Sequence, residues 1–407
     1  MSPSAFLDDL ILPTSTSQLA LPAEESYFMQ HYLQNVARVA LAVDYDQNGY
    51  RSLLPLAYNE PAVLNAALAV AASHYSRWQH TRDDVSRKYL RAAAKSLRDR
   101  CSKPELINTP ATLASMLLLV TFEVFSGTSR WKGHYDAIRG WVRSRGDCSD
   151  LDPFLKTWIC LIDTQCALNM GLPVMTELQS WIESGKIGEK DEIDALFGCS
   201  ARLPRLMWAA SQLSVASKVL GHDPGVIRKE AEALQEKIRE TAISPESEPS
   251  LGILCRNSAQ SYSAKVGLED EELRRRMVAV AEIFRYACHI YVYRVVHAPQ
   301  VPLTEEMESY LQNALQLLTL VPDALGPGAN LGWCLVVLGA EVDVAHQRDY
   351  IRSRWAGLDL TGIYNAKSGA KILDEVWGQR DLVRQGHAIP ERWQDIMQRI
   401  GQSQILV

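Results

Sequence analysis

The chain has 407 residues, 47% of them apolar, with 42 basic residues set against 48 acidic ones for a formal net charge of −6. A chain of this length can bury about 75% of its unfolded surface, which is enough for a substantial core. The negative balance supplies no global attraction to phosphates or to an acidic membrane, so neither direct nucleic-acid binding nor membrane binding is expected.

Residues 1–24 read as a flexible arm. They lack a basic leader region, carry Asp8 and Asp9, and interrupt their apolar stretches with Pro13, Thr14 and Ser15, so a secretory signal is not expected. From Glu25 onward, Phe28, Tyr32, Leu33, Val36 and Ala40 mark one helical face. Pro61 suits the first turn of a helix reaching Trp78, in which Val63, Leu64, Ala67, Leu68 and Ala71 repeat at helical spacing. Between Arg82 and Cys101, Val85, Tyr89, Ala92, Ala93 and Leu97 share one side, and Arg87, Lys88, Arg91, Lys95 and Arg98 crowd the other. This basic stripe reads first as a solvated face and second as a contact for an acidic partner or ligand.

Thr109 and Pro110 supply an N-cap and a first-turn proline for the next helix, which is apolar around its whole circumference and so central. Its apolar run, Ala111 to Phe125, includes Glu123 and falls short of the roughly 20 residues that a membrane span needs. Another helix begins near Trp131 and ends around Arg145. Further helices are expected at about Leu151–Met170, Val174–Ser184, Leu203–Leu220, Gly225–Ile243, Glu269–His297, Thr304–Leu320, Gly332–His346, Gly362–Gln379 and Glu391–Ile400. No comparable period-two strands appear. The breaker-rich stretch 244–267 reads as an exposed loop or lid, and helices on both sides of it need partners. The expected fold is therefore all-α, one large multi-helix domain over residues 25–407.

Several segments, taken in order, resemble the fungal-specific transcription factor domain, the regulatory domain family of zinc-cluster regulators. They are Tyr27 to His31, Leu53 to Pro55 and Pro61 to His74, then the helix with Tyr89, Ala92, Leu97 and Arg98, then Trp131, His134 and Ala137. Arg285, Tyr286, Ile290, Tyr291 and Arg294 resemble its late helix. The resemblance implies a helical region that senses metabolites, governs activation or dimerises. The zinc-cluster module of such regulators needs six closely spaced cysteines, because short pairs let thiolates converge on the metal. The eight cysteines here are widely spaced, the tightest pair being Cys160 and Cys166, and suit buried thiols in a reducing compartment. Autonomous, sequence-specific DNA binding is not expected.

Catalytic signatures are sparse. Asp83-Asp84-Val85-Ser86-Arg87 puts arginine where a magnesium-binding acid should recur, and Asn365 and Ser368 are followed by Ile372, so a terpene cyclase is disfavoured. Gly326-Pro327-Gly328 lacks the preceding strand and following lysine of a phosphate loop. No Gly-x-Ser-x-Gly elbow is present, and neighbouring Cys288 and His289 lie about 100° apart on a helix, poorly placed for a dyad. No cofactor or metal is expected.

Two polar clusters stand out as ligand-binding candidates. Arg285, His289, Tyr293 and His297 recur every four residues. Facing a cavity, they could bind a carboxylate or polarise a carbonyl; otherwise they form a satisfied network or a solvent-facing stripe. Trp131 and His134, with Tyr135 and Trp141, could wall a small-molecule site or simply pack the core.

Two functional readings follow. The first is a transcription-factor-like regulatory domain, nuclear or cytoplasmic, that binds a small-molecule metabolite or a regulator protein and does not itself read DNA. The second is a repurposed biosynthetic enzyme of secondary metabolism, a cofactor-independent cyclase or isomerase of the Diels–Alderase type, using its pocket as a mould for an intermediate. The exposed helices also permit a homo-oligomer, although no heptad seam argues for one.

Overall fold

Prolines open many of the helices, because a first-turn position needs no N–H and profits from a fixed φ. Counting helices of at least seven residues, the computed structural model contains α1 (Ala23–His31), α2 (Pro61–Trp78), α3 (Ser86–Cys101), α4 (Pro110–Phe125), α5 (Trp131–Arg145), α6 (Pro153–Met170) and α7 (Leu203–Ala216). These are followed by α8 (Pro224–Arg239), α9 (Asp270–Val296), α10 (Glu305–Leu318), α11 (Gly332–Gly339), α12 (Ala345–Asp359), α13 (Asn365–Arg384) and α14 (Trp393–Arg399). The structure describes residues 21–42, 48–146, 148, 150–179, 192–194, 196–219, 223–243, 250–251, 270–321, 326–363, 365–402 and 405–406. Residues 1–20 of the expected arm (1–24) and nearly all of the expected loop at 244–267 lie outside them, and Ala23 and Glu24, counted with the arm, already belong to α1.

Local chemistry explains the boundaries. The Asp152 and Asp223 carboxylates accept from Phe154 N–H and Gly225 N–H at the starts of α6 and α8, and the Thr304 hydroxyl accepts from Met307 N–H at the start of α10. Gly171, at φ 64°, takes the left-handed conformation that ends α6. Thr109 differs from expectation: its hydroxyl donates to Leu106 O and accepts from Arg100, so it makes no side-chain cap for α4. The strand content among the described residues is a parallel pair of two-residue segments, Glu192–Ile193 and Ser250–Leu251.

The apolar α4 sits against α2, α5 and α3, and every residue from Ala111 to Phe125 is buried. The long α9 lies against α8, α10, α7 and α11, and α13 packs on α11, α12 and α14. One continuous hydrophobic cluster runs through all these layers. Among the described residues no helix is long and apolar enough to cross a membrane. Most described cysteines are buried, but Cys101, at the end of α3, is exposed against expectation.

A chain of hydrogen bonds ties the N-terminal layer to the 361–362 turn. His74 Nε2–H donates to Thr361 O at 2.9 Å, which leaves its Nδ1 to accept from His31 Nε2–H at 2.9 Å. Asn35 Nδ2–H then donates to His31 Nδ1 at 3.0 Å. Each tautomer is fixed by the next partner, and both rings are neutral: burial pulls His31 down to about 4, and burial first, then His31 and Arg77, pulls His74 down to about 3. Arg77 reinforces the junction by donating Nε–H to Gly362 O at 3.0 Å.

Candidate functional site

The four residues of the α9 stripe separate into two environments. Arg285 is buried and paired with Glu282 one turn earlier (Nε–H to Oε2, 2.9 Å), and its guanidinium lies 4.5 Å from the Tyr286 ring centroid. His289 is wholly buried. Gln235 Nε2–H donates to His289 O at 2.9 Å, so Gln235 Oε1 is the acceptor for His289 Nδ1–H, and His289 Nε2 meets no hydrogen-bond partner among the described residues. Burial, aided by Arg285 and Arg239, pulls the His289 pKa down to about 3, and Tyr310 packs against the ring at 4.6 Å between centroids. These two residues are built into the contact of α9 with α8 and α10.

Tyr293 and His297, by contrast, hold a wall. Tyr293 O–H donates to Pro302 O at 2.7 Å, and the His297 ring stacks on Tyr293 at 4.0 Å between centroids. Arg294 finishes the same wall by donating Nη1–H to Ala298 O (3.0 Å) and Val301 O (2.8 Å), and clamps Glu341 through Nε (2.8 Å) and Nη2 (2.7 Å). Four of its five guanidinium N–H groups are thereby used.

Beyond that wall lies a groove of about 780 Å³, bounded by the 299–303 turn, the first turns of α10, the Glu341 and Asp343 turn, and the last turns of α13. Its arginines are engaged: Arg380 Nη2–H reaches Asp343 Oδ2 at 2.9 Å, and Arg384 Nη2–H reaches the same oxygen at 2.5 Å. Glu305 and Glu308 line the opposite side, exposed. Arg294, Pro299, Glu341, Arg380 and Glu391 also border an inner recess of about 50 Å³ whose walls are Ile290, Val295, Val337, Val376 and Trp393. The site is thus a polar mouth with an apolar extension. Small-molecule sites commonly measure about 300–1,000 Å³, so the mouth has the size of one.

The central cavity does not. It measures about 70 Å³ and is lined by Tyr50, Val124, Trp158, Gln165, Phe284 and Asn330 among others. None of Arg285, His289, Tyr293, His297, Trp131 and His134 lines it, the groove or the recess. The structure places Trp131 wholly in the core, while Tyr135 O–H donates to the buried Asp163 at 2.5 Å and Trp141 Nε1–H to Ile107 O at 2.7 Å. His134 is half-buried, and burial lowers its pKa against an opposing pull from Glu123. The groove residues on α9 sit one position round from the predicted stripe, at Arg294, and in the recess at Ile290, Tyr291 and Val295. Arg294 clamps Glu341 across 47 residues of chain, a separation that leaves no local signature in the sequence.

Among the described residues no group of three or more His, Cys, Asp or Glu side chains is placed to hold a metal ion. The family model for the fungal specific transcription factor domain matches residues 26–407. A search of curated proteins and a search of solved structures each found no match.

Proposed function

The chain belongs to the fungal specific transcription factor domain family, and from this premise we propose that it is a regulatory domain whose activity is set by a small metabolite bound in the groove between α9, α10 and α13. The observation that carries this reading is the groove itself, about 780 Å³ of polar mouth opening beside an apolar recess. A molecule with a polar head and a hydrocarbon part suits that division. The walls come from elements far apart in sequence, Arg294, Glu305, Glu341 and Arg384, so a ligand touching all of them favours one relative placement of the helices and shifts the population toward it.

The alternative of an enzyme that moulds an intramolecular reaction requires an enclosed pocket of substrate size. The central cavity of about 70 Å³ is below that size and the groove is open to its acidic rim, which supports binding over catalysis.

The test is to fill the groove. Val383→Trp and Gln312→Trp place indoles in it from α13 and α10 without touching the Arg294 clamp. Thermal-shift measurements against fractions of a low-molecular-weight cell extract should find a fraction that stabilises the parent chain and leaves both variants unmoved. Equal stabilisation of parent and variants would remove the groove from the proposal.

A further inference from the structure

Helix α3 carries an exposed row of cations that have no counter-charges among the described residues. Arg87, Arg91, Lys95 and Arg98 are all exposed, and no carboxylate among the described residues pairs with any of them. Lys88, beside the row, is already spent on Glu24 at 2.8 Å. At 100° per residue the four cations fall within a sector of about 80°, and at 1.5 Å per residue they span about 16 Å. Asp99 is the one acid within the helix and projects to the flank of this sector. The opposite face of α3 is locked down, with Tyr89 and Ala93 buried and Arg100 donating to Thr112 Oγ1 and Thr109 Oγ1 at 3.1 and 2.7 Å. The row therefore sits on a firm support.

We infer that this face is a docking surface for the sugar–phosphate backbone of a nucleic-acid duplex. Three of its four cations are arginines, whose planar forks fit phosphate oxygens. A protein partner would be expected to anchor on aromatic or aliphatic side chains at the centre of the patch. None of the large exposed apolar side chains, Tyr27, Tyr58, Val219, Val226, Val344, Leu360, Leu382 and Ile389, lies on α3. A purely cationic and polar face matches the character of phosphate contacts instead. The net charge of −6 does not forbid this, because charges more than about 8 Å away are screened at physiological ionic strength while the row touches its partner. Such contacts carry position and no sequence preference, so they add affinity to whatever reads the bases.

The experiment is fluorescence anisotropy of a labelled duplex of scrambled sequence with the purified chain, repeated at 50 and 200 mM salt. Four phosphate contacts should give a log–log salt slope of about −3.6, so that affinity falls roughly 150-fold between these concentrations. The double variant Arg91→Gln/Lys95→Gln should halve the slope and retain roughly a 12-fold fall. A control pair on another exposed helix face, Lys229→Gln/Lys237→Gln on α8, should leave the slope unchanged. Far-UV circular dichroism melts of all three proteins check that each is folded. No binding at 50 mM salt, binding indifferent to the α3 pair, or binding of a polyglutamate peptide in preference to the duplex would each overturn the inference.

Discussion

At the junction of α1, α2 and the 361–362 turn, His31 and His74 spend all four ring nitrogens on hydrogen bonds. On α9, His289 spends Nδ1 on Gln235 and leaves Nε2 buried without a partner among the described residues. Both centres are neutral and deeply buried, and both lie at contacts between helices. They differ in that the first links segments about 290 residues apart through a chain in which each proton position dictates the next. The second could lose its ring without interrupting a chain. A histidine is thus a structural joint where both nitrogens are used, and a tolerated polar group where one is idle.

The sharpest break of this comparison is His74→Ala. It strands His31 Nε2–H and Thr361 O together, and each orphaned group costs about 1–3 kcal/mol, so a loss of about 3 kcal/mol in urea unfolding at pH 7 is expected. A loss below about 1 kcal/mol would show that the chain of bonds contributes nothing beyond packing. His74→Gln, which can still donate to Thr361 O, should recover part of the loss.

A second prediction concerns acid. All three histidines titrate lower in the folded chain than the ordinary value of 6.5, at about 4 for His31 and about 3 for His74 and His289. Below pH 6.5 the unfolded chain therefore takes up protons that the folded chain refuses, and stability falls as pH falls toward 4; above 6.5 these groups contribute no slope. Each histidine contributes up to about 1.4 kcal/mol per pH unit, or about 2 kcal/mol between pH 6.5 and 5. Urea unfolding of the parent and of His289→Leu at pH 5 and 7 isolates one of the three: the variant should lose about 2 kcal/mol less than the parent on acidification. Identical losses would mean that His289 is protonated in the fold.

Much of the fold was legible. The helices Pro61–Trp78 and Trp131–Arg145 start and stop where their prolines, tryptophans and glycines say, because strong periodicity and local punctuation agree. Helix α12 was not legible: Ile351, Trp355 and Leu358 are its only buried apolar residues, spaced among charges, and a sparse pattern of this kind is formed by tertiary packing more than by propensity. The pattern at 332–346 read as one helix, yet α11 ends at Gly339 and the chain turns through Glu341 and Asp343 to reach the arginines of α13. The groove was invisible for the same reason, since ion pairs between Arg294 and Glu341 or Arg384 and Asp343 span some 40 residues and carry no local signature. The stripe at Arg285, His289, Tyr293 and His297 lies along one helix, but spacing along a helix says nothing about what faces it. Glu282, Gln235, Tyr310 and Pro302 decide that. His31 and His74 appeared only within a family likeness, because a joint between distant segments has no motif.

The smallest effect expected is that of His289→Leu at pH 7, and it separates the two centres most cleanly. Leucine removes the idle Nε2, whose burial costs stability in the parent, and strands Gln235 Oε1. Because Gln235 is only half-buried, water can take over that acceptor, so the two changes oppose each other and the net shift should stay within about 1 kcal/mol. Contact with the Tyr310 ring is kept, since leucine fills nearly the same space. The measurement is urea unfolding at pH 7, where folded His289 is neutral. A loss above about 2 kcal/mol would show that Nε2 has a partner, such as a bound water, and that the α9 centre is as complete as the junction of His31 and His74.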